Sequence, residues 1–170
     1  MASELHVDAI KHSGGTSAMT IDSSGRVFTP VRPAFFAYAT SSPYISSAAT
    51  DQKLGLTEDY DKTNNFANSE FTCPVSGLYF FNVSVNFYGS GVSTRYVRAR
   101  LYKNGSTTQI ECHSHMSDET GNSDYAHTSF GCTLDLSAND VMAVYVTSSS
   151  TSIQVAGFNK TTHFSGHLIG

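Results

Sequence analysis

Glu111, His113 and His115 alternate along Thr107-Thr-Gln-Ile-Glu-Cys-His-Ser-His115. On an extended chain, side chains two apart share a face, so these three stand together and point away from Ile110 and Cys112. A His-x-His pair can place two imidazoles on one metal ion, with a carboxylate as third ligand. Around a threefold axis, even one histidine per chain would supply three ligands. The same residues also suit a polar face turned to solvent or to another subunit, or a histidine-based pH switch. Apart from a metal ion at this trio, no cofactor is expected. Two further groups offer oxygen donors for calcium: Asp118, Glu119 and Asp124 in a Gly-containing loop, and Glu58, Asp59 and Asp61. Neither follows a ligand-loop pattern, and both read as solvated loops.

Catalysis finds no foothold. Gly-x-Ser-x-Gly is missing, and no Gly-rich phosphate loop joins a strand to a helix, so no catalytic residue is assigned. Tyr44, Tyr60, Tyr88 and Tyr125 could stack on carbohydrate rings, or pack at a subunit interface or under loops. Cys73, Cys112 and Cys132 are odd in number and lack metal spacing. Cys112 and Cys132 fall where small apolar fillers belong, and the set reads as a chain made in a reducing cytoplasm without a disulfide framework. Arg95, Arg98, Arg100 and Lys103 form a local basic stripe, read as a solvated strand face or a subunit contact. The net charge of −4 argues against a nucleic-acid partner.

The elements that must position these residues are strands. In Gly77-Leu-Tyr-Phe-Phe-Asn-Val-Ser-Val85, Tyr79, Phe81, Val83 and Val85 share one face, with Phe87 continuing the row. Asn82, Ser84 and Asn86 share the other, the alternation of a strand with one face on a core. Phe35–Ala39 predicts a first strand, followed by loop and short strands from Ser41 to Asn68. Val97, Ala99 and Leu101 alternate with Arg98, Arg100 and Tyr102, and Asn104-Gly105 is a hairpin turn signal. Ala126 to Leu136, Val141 to Val146, Ile153 to Val155 and His163 to Ile169 supply the rest. No segment has a helical period. Eight to ten short strands separated by turns imply an all-β antiparallel sandwich or jelly roll. Only 14% of residues are charged, well below the roughly 25% of an average soluble protein. Eleven Phe and nine Tyr are enough to fill a core. No stretch approaches the roughly 20 apolar residues of a membrane span, and no signal peptide is visible.

Phe71-x5-Gly77-Leu-Tyr79-Phe-Phe81 resembles the signature of the globular domain of complement component one-q, in the tumour-necrosis-factor-like superfamily. Leu101-Tyr-Lys-Asn-Gly105, Leu134-x-Leu136-x3-Asp140-Val141, Phe35-Phe36 and the closing Phe164-Ser-Gly-His-Leu-Ile169 extend the likeness over about residues 34–170. The resemblance implies a ten-stranded jelly roll that assembles as a homotrimer around aromatic-lined interfaces, with Tyr79, Phe81, Phe87 and Phe164 as trimer core or interface candidates. The family's aromatic seven positions before Phe71 is here Asn64, flanked by Tyr60 and Phe66, which predicts an altered loop. No Gly-X-Y repeat is present, so an immune role does not carry over.

Residues 1–33 differ from the rest. Leu5, Val7 and Ile10 mark one extended piece, Gly14-Gly15 breaks it, Met19 and Ile21 mark another, Ser23-Ser-Gly25 turns, and Val27-Phe28 resumes. Pro30 and Pro33 make a stiff exit. Such pieces are too short to bury a core alone, and Val7, Ile10, Met19, Ile21 and Val27 are expected to anchor them on a larger surface. Val7-Asp-x-Ile10-Lys-x-Ser-Gly-Gly15 and Ala18-Met-Thr-Ile-Asp-Ser-Ser-Gly-Arg-Val27 resemble a segment of bacteriophage fibres and virion attachments. The resemblance implies a non-enzymatic trimer on the virion surface, synthesised in the host cytoplasm. Its role would be capsid decoration or cementing, docked on the major capsid protein or another virion protein. The alternatives are a short tail-fibre or spike tip recognising a host glycan or surface protein, and a soluble lectin-like module.

Overall fold

The computed structural model describes residues 6–46, 48–89, 95–116 and 124–169. None of these is helical. Leu5, Asp118 and Glu119 lie outside the described residues.

Near the N-terminus, β1 (Ala9–Lys11), β2 (Ser17–Ile21) and β3 (Val27–Phe28) form a three-stranded antiparallel sheet in the order β1-β2-β3. Both turns fall where the glycines predict them. Gly15 sits at φ 88°, and its N–H donates to His12 O at 2.8 Å. At the second turn Gly25 sits at φ 76°, and Asp22 Oδ1 accepts from the N–H groups of Ser24 and Arg26. Glycine tolerates these angles without the Cβ clash other residues meet.

From Ala34 onward two six-stranded antiparallel sheets face each other. The first holds β4 (Ala34–Tyr38), β6 (Thr57–Asp61), β9 (Gly77–Gly89), β12 (Asp124–Leu136), β14 (Ile153–Val155) and β15 (His163–Leu168). Its order is β12-β9-β15-β4-β6, with β14 beside β9. The second holds β5 (Gln52–Lys53), β7 (Phe66–Ala67), β8 (Glu70–Thr72), β10 (Arg95–Lys103), β11 (Thr107–Met116) and β13 (Val141–Ser148). Its order is β11-β10-β13-β8-β7, with β5 beside β13. This is a jelly-roll sandwich. It has more strands than expected because two-residue pieces such as β5 and β7 are too short to show an alternation.

The core lies between the sheets. Tyr79, Phe81, Val83, Val85 and Phe87 have no exposed surface, and Val97, Ala99 and Leu101 meet them from the facing sheet. Full burial of each large apolar side chain contributes about 1.5–3 kcal/mol. Phe35 organises the aromatic part: its ring stacks on Phe71 at 4.6 Å and on Phe66 at 5.1 Å, with Phe164 edge-on at 4.9 Å. Tyr79 satisfies its hydroxyl by donating to Val75 O at 2.8 Å.

The altered loop before Phe71 has a physical explanation. Asn64 adopts φ 55° and turns the chain, and Phe66 then enters the core at 6% exposure. The Asp61 carboxylate holds this turn, accepting from the N–H groups of Thr63, Asn65 and Phe66. The aromatic ring is thus supplied at position 66 rather than 64.

One expectation requires correction. Tyr79, Phe81, Phe87 and Phe164 are fully buried within a single chain. They are core residues with no surface left to line an interface. Their inward parity on β9 and β15 decides this.

Candidate functional site

The β10–β11 hairpin pairs Arg100 with Glu111, Arg98 with His113 and Tyr96 with His115 across its outer face. Glu111, His113 and His115 are all exposed and share that face, as their spacing predicts. His113 Nε2 lies 2.9 Å from Glu111 Oε1, while Arg100 Nε donates to Glu111 Oε2 at 2.7 Å. Both carboxylate oxygens are therefore engaged, and the His113 and Arg100 hydrogen bonds hold the Glu111 carboxyl below its ordinary pKa. Among the described residues no three His, Cys, Asp or Glu side chains gather so as to hold a metal ion. Within one chain Glu111 and His113 form part of an ion-pair network, while His115 stands opposite Tyr96.

Arg100 is the centre of that network. Its Nη1 donates to Asp51 Oδ2 at 2.5 Å, and the hydroxyls of Tyr102 and Thr147 also donate to the Asp51 carboxylate. Burial works against the guanidinium charge, but the bonds to Glu111 and Asp51 outweigh it and raise the Arg100 pKa. The basic stripe is thereby broken up. Arg98 lies over the Tyr96 ring at 5.4 Å, and Lys103 pairs with Asp140 at 2.6 Å. Sequence reading missed Asp51, which lies 49 residues from Arg100 in a stretch read as loop.

The acidic group at Glu58, Asp59 and Asp61 likewise does not converge. Asp59 pairs with Lys160 at 2.6 Å, and Asp61 caps the turn described above. Asp124 accepts from the Tyr125 N–H at 2.8 Å. Cys73 is buried, and Cys112 and Cys132 are half-buried on the inward faces of β11 and β12. All three are free thiols.

The outward face of the first sheet is the more distinctive surface. Along β9 it shows Phe80, Asn82, Ser84, Asn86 and Tyr88, paired across to Thr133, Gly131, Ser129, His127 and Tyr125 of β12. Beyond β9 lie His163, Ser165 and His167 of β15, then Phe36 and Tyr38 of β4. The β9, β12 and β15 positions are aromatics, imidazoles, amides, a glycine and hydroxyls, while the Lys160 ammonium, paired with Asp59, lies over the Phe36 and Tyr38 rings at 5.8 and 4.7 Å. Ser84 Oγ donates to Thr161 O, so it accepts from His127 Nε2 at 2.9 Å. Phe36 stacks on Tyr60 at 6.2 Å and on His163 at 5.2 Å.

Two of the four predicted tyrosines, Tyr88 and Tyr125, meet at one corner of this face, and the Tyr44 backbone joins the same corner through Gln154. Tyr44 bridges to Gln154, Tyr88 Oη donates to Gln154 Oε1, and Tyr88 stacks on Tyr125 at 5.9 Å. Tyr44 and Tyr125 remain 59% and 57% exposed. Tyr60 stands apart, at the opposite edge beside Phe36.

In the N-terminal sheet, Val7, Met19 and Ile21 are half-buried, while Ile10 and Val27 are 50% and 57% exposed. Phe28 and Val31 join them at 49% and 53%. Among the described residues the three strands of this sheet are hydrogen-bonded only to one another. Among the described residues no helix is long and apolar enough to cross a membrane.

Comparison with known proteins bears on the sandwich. The C1q domain family matches residues 34–169. Eiger TNF from S. frugiperda superposes with a TM-score of 0.62 at 10% identity, covering 82% of this chain and 93% of that one. Murine APRIL gives 0.57 at 10% identity, covering 81% and 99%. The globular domain of zebrafish complement 1qA protein gives 0.53 at 17% identity, covering 81% and 98%. No curated protein gives a significant sequence match. At these identities the structural likenesses establish the fold. The family match spans most of the chain, and by it the chain belongs to the C1q domain family.

Proposed function

We propose that this chain is a non-enzymatic bacteriophage virion protein, a homotrimer that decorates or cements the capsid and attaches through residues 1–33. The carrying observation is the N-terminal three-stranded sheet. It stands outside a complete sandwich and leaves Ile10, Val27, Phe28 and Val31 about half exposed. A sheet of such short strands needs packing against another surface to be stable, and a particle surface supplies it. The phage context comes from the likeness of the segments Val7–Gly15 and Ala18–Val27 to virion attachments. Self-association is assigned to the outward face of the first sheet, where an aromatic and uncharged centre suits a subunit contact. The docking partner is then the major capsid protein or another virion protein, and the location is the virion surface.

The Tyr44–Tyr88–Tyr125 corner supports a second reading, a short tail-fibre or spike tip that binds a host glycan or surface protein. Copy number separates the two. A decorating protein is present at hundreds of copies and stays on tailless heads, whereas a fibre is present at a few copies and leaves with the tail. Deleting residues 1–33 should abolish attachment while leaving trimers intact in solution, and retained attachment refutes the anchor. Glycan-array binding by the sandwich, without particle attachment, points instead to a soluble lectin-like module.

A further inference from the structure

Two adjoining cavities of about 420 and 490 Å³ lie where the linker 29–33 meets the base of the sandwich; they share Thr29 and Arg32, and the second reaches β3. Pro33, Pro74, Val75 and Leu168 wall the first, and Val27, Phe28 and Pro30 wall the second. Three further features meet here. First, β3 is the outer strand of its sheet, paired with β2 on one side only. An open strand edge is a template for another chain. Second, Thr63 Oγ1 and Asn65 Oδ1 are buried without a hydrogen-bond partner, and both residues line the first cavity. Buried polar atoms are normally satisfied, so two orphans on residues of one cavity lining suit a donor from outside. Third, Arg32 and Lys62 stand at the groove, and neither forms an ion pair among the described residues.

We propose that this groove binds an extended segment of another polypeptide in which carboxylates are interspersed with apolar side chains, added as a fourth strand on β3. The carboxylates meet Arg32 and Lys62, the apolar side chains enter the two cavities, and N–H donors reach Asn65 Oδ1 and Thr63 Oγ1. This chain does not supply the segment from its described residues. Its acidic run Glu58-Asp59-Tyr60-Asp61 is already paired with β4. The inference rests on the anchoring reading for the source of the segment, a neighbouring virion protein, but not for its chemistry.

Fluorescence anisotropy with the full chain tests the proposal. The probes are a labelled ten-residue peptide alternating Asp and Val and its counterpart alternating Lys and Val. The Asp peptide is expected to bind, and the Lys peptide to bind at least about tenfold more weakly. The double variant Arg32→Glu/Lys62→Glu should reverse that preference while light scattering shows an unchanged oligomer. Absence of Asp-peptide binding, or equal binding by the variant, overturns the proposal. Loss of the oligomer in the variant overturns it too, because the groove then belongs to a second copy. Particle attachment that survives in the double variant but is lost on deleting residues 1–33 keeps the anchor and overturns the groove. Attachment that survives the deletion removes the anchoring reading, and the peptide titration then decides the groove alone.

Discussion

Gly166 and Phe81 face each other across the β15–β9 ladder with no room for a side chain between them. A Cβ on Gly166 would lie 2.5 Å from Phe81 Cδ1 and 2.9 Å from Phe35 Cε1. The gap on β15 lets rings from both neighbouring strands close over the core. Gly166→Ala forces those buried rings off their positions, and overpacking of this kind costs about 1–3 kcal/mol. A lower urea midpoint with an unchanged slope is the expected result, and wild-type stability would refute the contact.

Asp51 makes stability depend on acid. Burial pushes its pKa up, but hydrogen bonds from Thr147, Tyr102 and Arg100 more than offset this and hold it below the ordinary value. A carboxyl with a depressed folded-state pKa stabilises the fold above its unfolded-state value. That stabilisation is lost as pH falls through the folded-state value, so wild type should weaken below about pH 4. Asp51→Asn should lower stability at pH 7 by about 1–3 kcal/mol and decline less steeply on acidification. Parallel pH curves for the two proteins, followed by denaturant unfolding, would exclude the linkage.

Cys73 should be inert in the native protein. Burial pushes its thiol up to about 12, with Asp140 adding to the rise and Lys103 opposing it. Since the thiolate is the reactive form, iodoacetamide at pH 8 should leave Cys73 unmodified until the protein unfolds. Mass mapping reads this directly, and labelling of Cys73 at the rate of a free thiol would contradict its placement.

Tyr125→Glu tests the assembly face. Tyr125 is 57% exposed in one chain, so the variant should fold. A buried, unpaired carboxylate at a subunit contact is costly, and light scattering should therefore report a smaller species with an unchanged circular dichroism spectrum. An unchanged mass would place self-association elsewhere.

The strands were largely legible in the sequence because one alternating face was enough to mark each. The row Tyr79, Phe81, Val83, Val85 and Phe87 predicted β9, and Asn104-Gly105 predicted the β10–β11 hairpin, where the two residues sit at φ 52° and 74°. The same residues gave no sign of their second task. Asn104 also binds across the sheet, donating to Asp140 Oδ1 at 3.0 Å and accepting from the Val141 N–H at 2.8 Å. The Glu111, His113 and His115 face was equally visible, but its engagement by Arg100 was not, since Asp51 arrives through a loop with no periodic pattern.

The sequence by itself determined which side chains of each strand turn inward, because a two-residue repeat assigns faces without knowledge of any partner. Only the tertiary structure decided what lies opposite. It made Tyr79, Phe81, Phe87 and Phe164 core rather than interface, brought Tyr44, Tyr88 and Tyr125 to one corner, and opened the groove at Arg32 and Lys62. Those relationships depend on strand order and register between distant segments, and alternation within a strand carries no information about either.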